Sequence, residues 1–130
     1  MIVLDASAML EQLLNTPKGQ QIQEKYLVEG ESFHVPHLLD LEVAQVLRRY
    51  SRHHILTDQR AAQALGDFLD LPLTRYPHDP LLSRIWELRD NFTVHDAAYV
   101  ALAEVLNIPL VTCDSRLTTA PGHTANMILV

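Results

Sequence analysis

The chain is poor in cysteine, lysine and glycine, and it has no long apolar run. Its single cysteine, Cys113, among 130 residues excludes a disulfide framework and a cysteine-rich zinc site, and it suits a reducing cytoplasm. Lys18 and Lys25 are the only lysines, which disfavours a site that needs a lysine late in the chain. The four glycines, at 19, 30, 66 and 122, are scattered. No linker, repeat or low-complexity tract divides the chain, and residues 1–130 read as one domain. The apolar stretch from Ala97 to Ala103 stops at Glu104, far short of the roughly 18 residues a membrane helix needs. The first five residues reach Asp5 without a basic leader, unlike a secretory signal. Lysine and arginine total 10 against 16 acids, a formal charge of −6. That balance excludes a coat protein holding nucleic acid by an overall basic surface.

What is present is globular: 48% hydrophobic and 20% charged residues. Short apolar runs alternate with helical patterns. Ile2–Leu4 reads as a strand buried on both faces. Ser7 caps a helix to about Leu14, and Thr16-Pro17 opens another to about Val28. Residues 32–35 form a second strand, and Leu38 to Tyr50 a helix. Thr57 caps the next helix. Leu71–Thr74 reads as a third strand that Pro72 confines to a sheet edge. Asp79-Pro80 and Thr93 open two further helices, to about Leu88 and Leu106. Leu110–Thr112 and Met127–Val130 are the last strands. This alternation predicts an α/β fold, a three-layer α/β/α sandwich with a roughly five-stranded parallel sheet. Ligands of such sheets sit beyond the carboxyl ends of the strands.

Four acids come from four segments to that edge. Asp5 follows the first strand, Asp114 follows the fourth, Asp96 sits in the first turn of its helix, and Glu42 lies early in the helix after the second strand. On a helical wheel Leu38 and Val46 stand about 40° either side of Glu42, and Asp40 about 160° away. Glu42 therefore interrupts an apolar face, which is costly without a partner. Each other acid has a local alternative. Asp5 fits a turn or cap, Thr93-Val94-His95-Asp96 fits a capping box, and Asp114 fits a cap for the turn that follows. If the four converge, repulsion raises some of their pKa values. A hard cation relieves it, and an all-oxygen set selects Mg²⁺ or Mn²⁺ over zinc. Thr112 is placed to support a metal-bound water, or simply ends its strand. Cys113 has no fixed base and packs or sits idle. One or two such ions serve to hydrolyse a phosphodiester.

Val-Leu-Asp-Ala-Ser-Ala (3–8), Pro-His-Leu-Leu-Asp-Leu-Glu-Val-Ala-Gln-Val-Leu-Arg-Arg (36–49), His-Asp-Ala-Ala-Tyr-Val-Ala-Leu-Ala-Glu (95–104) and Pro-Leu-Val-Thr-Cys-Asp-Ser-Arg-Leu (109–117) resemble the four motifs of PIN-domain nucleases. The short length resembles the VapC toxins of toxin–antitoxin pairs. The resemblance covers nearly the whole chain. It implies a Mg²⁺-dependent endoribonuclease with Asp5, Glu42, Asp96 and Asp114 as catalytic, metal-holding acids and Ser7 and Thr112 in support. It also implies a homodimer, inhibited by a cognate VapB-like antitoxin whose tail covers the site. Some relatives carry a further acid just after the last aspartate. Here Ser115 and Arg116 follow, which leaves open whether one or two ions bind.

The charge divides by location. Four of the sixteen acids belong to the presumed site, and Arg48, Arg49 and Arg52 with His53 and His54 form the densest basic cluster. Arg49 lies about 20° off Glu42's direction, two turns along, and is a candidate phosphate contact; the alternative is a solvated helix end favoured by the helix dipole. The three arginines are the expected RNA-binding residues. A structured RNA such as tRNA or rRNA is expected in preference to mRNA, because RNA is read mainly at unpaired loops. Ile22, Tyr26, Leu27, Phe68 and Leu69 read as core, with a partner groove as the alternative. Three rivals remain: a catalytically inactive PIN-like binding module; a receiver- or phosphatase-like phosphate-handling domain, which the missing late lysine disfavours; and the same fold cutting DNA flaps, which the short length disfavours.

Overall fold

A computed structural model describes residues 1–130. Five strands form one parallel sheet: β1 (Ile2–Leu4), β2 (Phe33–Pro36), β3 (Leu73–Tyr76), β4 (Leu110–Thr112) and β5 (Met127–Leu129), in the spatial order β3-β2-β1-β4-β5. Seven helices connect them: α1 (Ala6–Leu13), α2 (Pro17–Tyr26), α3 (Leu38–Arg52), α4 (Asp58–Asp70), α5 (Leu82–Glu87), α6 (Val94–Leu106) and α7 (Ser115–Thr119). None is long and apolar enough to cross a membrane.

The strand order fixes the layers. β1, β2 and β3 step in one direction, and right-handed crossovers put α1 to α4 on one face, where they pack on one another. The chain then returns past β1 to β4, so α5 and α6 cover the opposite face, with α6 against β1, β2 and β4. This is the expected three-layer α/β/α sandwich. It is not the 2-1-3-4-5 order of a receiver domain. The direction of winding reverses between β1 and β4. At that point the loops after the two strands part to opposite faces and leave a crevice.

A core of 30 buried residues fills both interlayer spaces. The central strands β1, β2 and β4 are buried along their whole length, as an all-parallel sheet requires. Every residue from Ala97 to Ala103 is buried, so the apolar run in α6 is a core helix. Gly19 marks a close approach of α1 and α2: a β-carbon there would stand 1.9 Å from the carbonyl oxygen of Glu11.

Local departures from the sequence reading have physical causes. Asp5, not Ser7, is the N-cap of α1, with its carboxylate accepting from the Ala8 amide at 2.9 Å. The helix therefore starts one residue before Ser7. β3 begins two residues later than the apolar pattern suggests, because Pro72 lacks the N–H a strand donates; it lies at the sheet edge as expected. The Asp79-Pro80 helix opens with a 3₁₀ turn at Asp79–Leu81, and α2 stops at Tyr26. Ile22, Tyr26 and Phe68 belong to the core, whereas Leu69 is exposed.

Candidate active site

The continued register of β1 and β4 sets Asp5 beside Thr112. Asp5 is only 6% exposed and Thr112 fully buried. The Thr112 hydroxyl donates to Oδ2 of Asp5, and the Ser7 hydroxyl donates to Oδ1 at 2.7 Å. Ser7 Oγ also accepts the Cys113 amide at 3.0 Å, and Thr112 Oγ1 accepts the Asp114 amide at 3.0 Å. Thus both hydroxyls tie the loop after β4 to the carboxylate after β1. Burial raises the Asp5 pKa, against the lowering effect of Ser7, Thr112 and the Ala8 amide, and the charge of Asp96 raises it further.

α3 follows β2 and brings Glu42 to the same edge. A residue from the far side of the chain caps this helix: the Leu38 amide donates to Nε2 of His78 at 2.9 Å. Glu42 is half-buried, and Oε1 accepts a 2.6 Å bond from the hydroxyl of Tyr99. Burial raises the Glu42 pKa; Tyr99 and His95 act the other way, and Asp96 and Asp5 add repulsion. The Tyr99 phenol is itself pushed well above its ordinary range by burial and by Glu42, so it remains a proton donor.

Asp96 is set by the cap of α6. Thr93 Oγ1 accepts the Asp96 amide at 3.1 Å, one half of the expected capping box. The return bond from the Asp96 carboxylate to the cap amide does not form. Burial raises its pKa against the lowering effect of the Thr93 side chain, and the Asp114 charge adds to the rise. Asp114 caps α7 and is held below the usual carboxylate range by Arg116, whose guanidinium and amide both donate to it. Asp5 and Asp114 are therefore caps and edge acids at once; the two readings of each residue are compatible.

The acids form a connected group: Asp96 repels Asp5, Glu42 and Asp114. No trio of His, Cys, Asp or Glu side chains closes to the spacing of a preformed metal cage. The donors are nevertheless all oxygen, and Oε2 of Glu42 has no partner. An open, over-charged oxygen set fits a hard divalent cation that retains water ligands. Cys113 does not compete as a nucleophile, since burial, with Glu11 and Asp5, pushes its thiol up to about 11.

A family model for the PIN domain matches residues 2–122. The chain belongs to the PIN-domain family. Within it, Ribonuclease VapC12 of Mycobacterium tuberculosis is 42% identical over 130 residues, which cover 100% of this chain and 99% of the relative. VapC ribonuclease Mb0985 of Mycobacterium bovis is 48% identical over 118 residues, covering 91% and 89%. Among solved structures, PAE2754 from Pyrobaculum aerophilum superposes with a TM-score of 0.74 at 21% identity over 97% of this chain and 81% of that one. VapBC2 from Rickettsia felis, solved with a fragment of promoter DNA, gives 0.71 at 14% identity over 98% and 99%. The fold is therefore shared with these structures at low sequence identity.

Two openings flank the acids of this PIN domain. One, of about 190 Å³, is lined by Asp96, Asp114, Arg116, Thr93 and Asn91 among others. The other, of about 430 Å³, is lined by Glu42, Arg49, His95, Leu41 and Gln45 among others. The basic cluster of the sequence separates here. Arg49 shares the Glu42 opening, but Arg48 lines a crevice between α3 and α4 with Ala61 and Leu65, and Arg52 is exposed in the last turn. Consecutive helical residues point about 100° apart, so adjacency in sequence does not make one patch. Sequence reading missed Tyr99. The signal was present: a tyrosine inside the buried run Ala97–Ala103 needs a partner for its hydroxyl, and Glu42 on an apolar face needs a donor.

Proposed function

We propose that the chain is a divalent-cation-dependent endoribonuclease, using Mg²⁺ or Mn²⁺, and that it acts as the toxin of a toxin–antitoxin pair. The observation that carries the reading is the meeting of Asp5, Glu42 and Asp96 at the switch point, mutually repelling. The substrate class is supported by relatives called ribonuclease VapC along nearly the whole chain. Asp5, Glu42, Asp96 and Asp114 would hold the cation. When bound, it supplies Lewis acidity toward a phosphodiester and a more acidic water.

The remaining residues set the stage for that chemistry. Ser7 and Thr112 orient Asp5, and Tyr99 orients Glu42. Arg49, beside Glu42, holds a phosphate of the RNA. A structured RNA with an unpaired loop suits an open edge that offers no narrow channel. The partners are a second copy of the chain and a cognate antitoxin; the likeness to VapBC2 and to a toxin–antitoxin complex from Klebsiella pneumoniae supports the antitoxin. An apolar groove of about 530 Å³ between α1 and α3, lined by Leu10, Leu14, Val46, Tyr50 and Ile55 and ending at Ser7, is the seat for the antitoxin.

The test is cleavage of a structured RNA before and after chelation. EDTA abolishes cleavage, and added Mg²⁺ or Mn²⁺ restores it. Cleavage that survives the chelator overturns the cation-dependent reading, and absence of cleavage under every condition favours a binding module.

A further inference from the structure

Asp114 is the one acid of the group that carries a cationic partner. Its Oδ1 accepts the Arg116 amide at 3.0 Å and Arg116 Nε at 3.3 Å, and its Oδ2 accepts Arg116 Nη2 at 3.3 Å. The guanidinium thus turns back on the residue two positions earlier and occupies both oxygens. Its two bonds are long, and its side chain is 89% exposed. Exposed pairs of this kind are weak.

A divalent ion held by Asp114 would bring twice the charge and bond the carboxylate directly, and the guanidinium would yield to it. It cannot go far, because α7 anchors Arg116 on the wall of the cleft that holds Asp96 and Asp114. A guanidinium left without a carboxylate keeps five donors in a planar fork, which matches a phosphate. Arg49 stands in the opening on the Glu42 side. An RNA backbone laid across the acids would meet one arginine on each flank.

We propose that Arg116 is an exchangeable phosphate-binding residue: it holds Asp114 in the resting protein and passes to a phosphate oxygen of the RNA when a divalent cation takes Asp114. The inference rests on the cation-dependent ribonuclease reading and adds a residue to it. It has two consequences of opposite sign. Removing Arg116 removes a competitor for the cation and also removes a contact for the RNA. A residue that merely held α7 in shape would weaken both.

The experiment titrates Mn²⁺ into the RNA-free protein by calorimetry, for the parent chain, Arg116→Ala and Arg116→Lys. It then measures KM for a structured RNA stem-loop across a salt series. Arg116→Ala binds Mn²⁺ about two- to fivefold more tightly, the range expected on freeing a carboxylate from an exposed pair. Its KM rises about tenfold, and the slope of log KM against log salt falls by about 0.7, one phosphate contact on a single strand. Arg116→Lys keeps the salt slope, because it keeps the charge, while its KM rises through loss of the fork. Unchanged or weaker Mn²⁺ binding by Arg116→Ala overturns the exchange, as does an unchanged salt slope. A parent chain that binds no Mn²⁺ overturns instead the reading on which the exchange rests.

Discussion

The hydroxyl of Tyr99 donates to Oε1 of Glu42 across 2.6 Å, joining the helix on one face of the sheet to a helix from the other. It is a side-chain bond between the two outer layers at the acid edge, and it leaves Oε2 of Glu42 free. Replacing Tyr99 by Phe keeps the ring in the core and deletes the bond. We expect cleavage to fall about ten- to hundredfold, as for other groups that orient a metal ligand, and stability to fall by about 1–3 kcal/mol. Because the lost bond had lowered the Glu42 pKa, the acid limb of the pH–rate profile moves to higher pH. A profile that keeps its shape would assign Tyr99 to packing alone.

The raised pKa values of Asp5, Glu42 and Asp96 carry a definite sign. Their contribution to stability is present below the ordinary carboxylate range and is lost as pH rises through the raised values. At neutral pH without a cation, the three acids destabilise the fold. Asp114 behaves oppositely: its contribution is present above the ordinary range and is lost as pH falls through its lowered value. In a chelator at pH 7, Asp96→Asn should therefore unfold at a higher urea concentration than the parent. The difference should close near pH 4, while cleavage by the variant is lost by about 100-fold or more, in line with the loss of a cation ligand. A variant less stable at pH 7 would show that the Asp96 charge is not uncompensated.

Cation and proton compete for the same oxygens. The pH at which cleavage is half lost should therefore move downward as Mg²⁺ is raised. Rate profiles at two Mg²⁺ concentrations check this, and coincident acid limbs would detach the titrating group from the cation site.

Arg49 and Arg48 are neighbours in sequence but line different openings. Arg49→Ala should weaken RNA binding and flatten its salt dependence by about 0.7 in slope. Arg48→Ala should leave both unchanged. Equal losses from the two would place the RNA across the crevice between α3 and α4 instead.

Gly19 is required by the contact of α1 and α2, where a β-carbon would meet the Glu11 carbonyl. Gly19→Ala should cost about 1–3 kcal/mol as an overpacked contact, read as a lower unfolding midpoint. α1 carries Ser7 and is capped by Asp5, so cleavage should fall with it. A variant of parental stability would mean that the two helices separate without strain.

The fold was largely legible because its signals are local. Apolar runs, caps at Thr16, Thr57 and Thr93, and a proline before an edge strand each act within a few residues. The acids were legible for a related reason: three of them sit at element ends, where a strand's end or a helix's first turn shows in the sequence. What the sequence did not display was side-chain pairing between distant segments. Tyr99 and Glu42 lie 57 positions apart, and His78 caps α3 from 40 positions away. The division of Arg48 from Arg49 depended on what packs beside α3, which no helical wheel contains. Arg116 was visible only as a departure from an acidic position; its turn back onto Asp114 is a matter of geometry.

The pairing of Asp5 with Thr112 spans 107 positions, and this imposes an order on synthesis. Asp5 precedes Thr112 and the loop bearing Asp114 in the chain by β2, β3 and six helices, so these partners arrive only after β3, α5 and α6. Until β4 docks beside β1, a growing chain holds its acids on separate segments. A site built this way closes late, because it waits on the return of the chain across the sheet to β4.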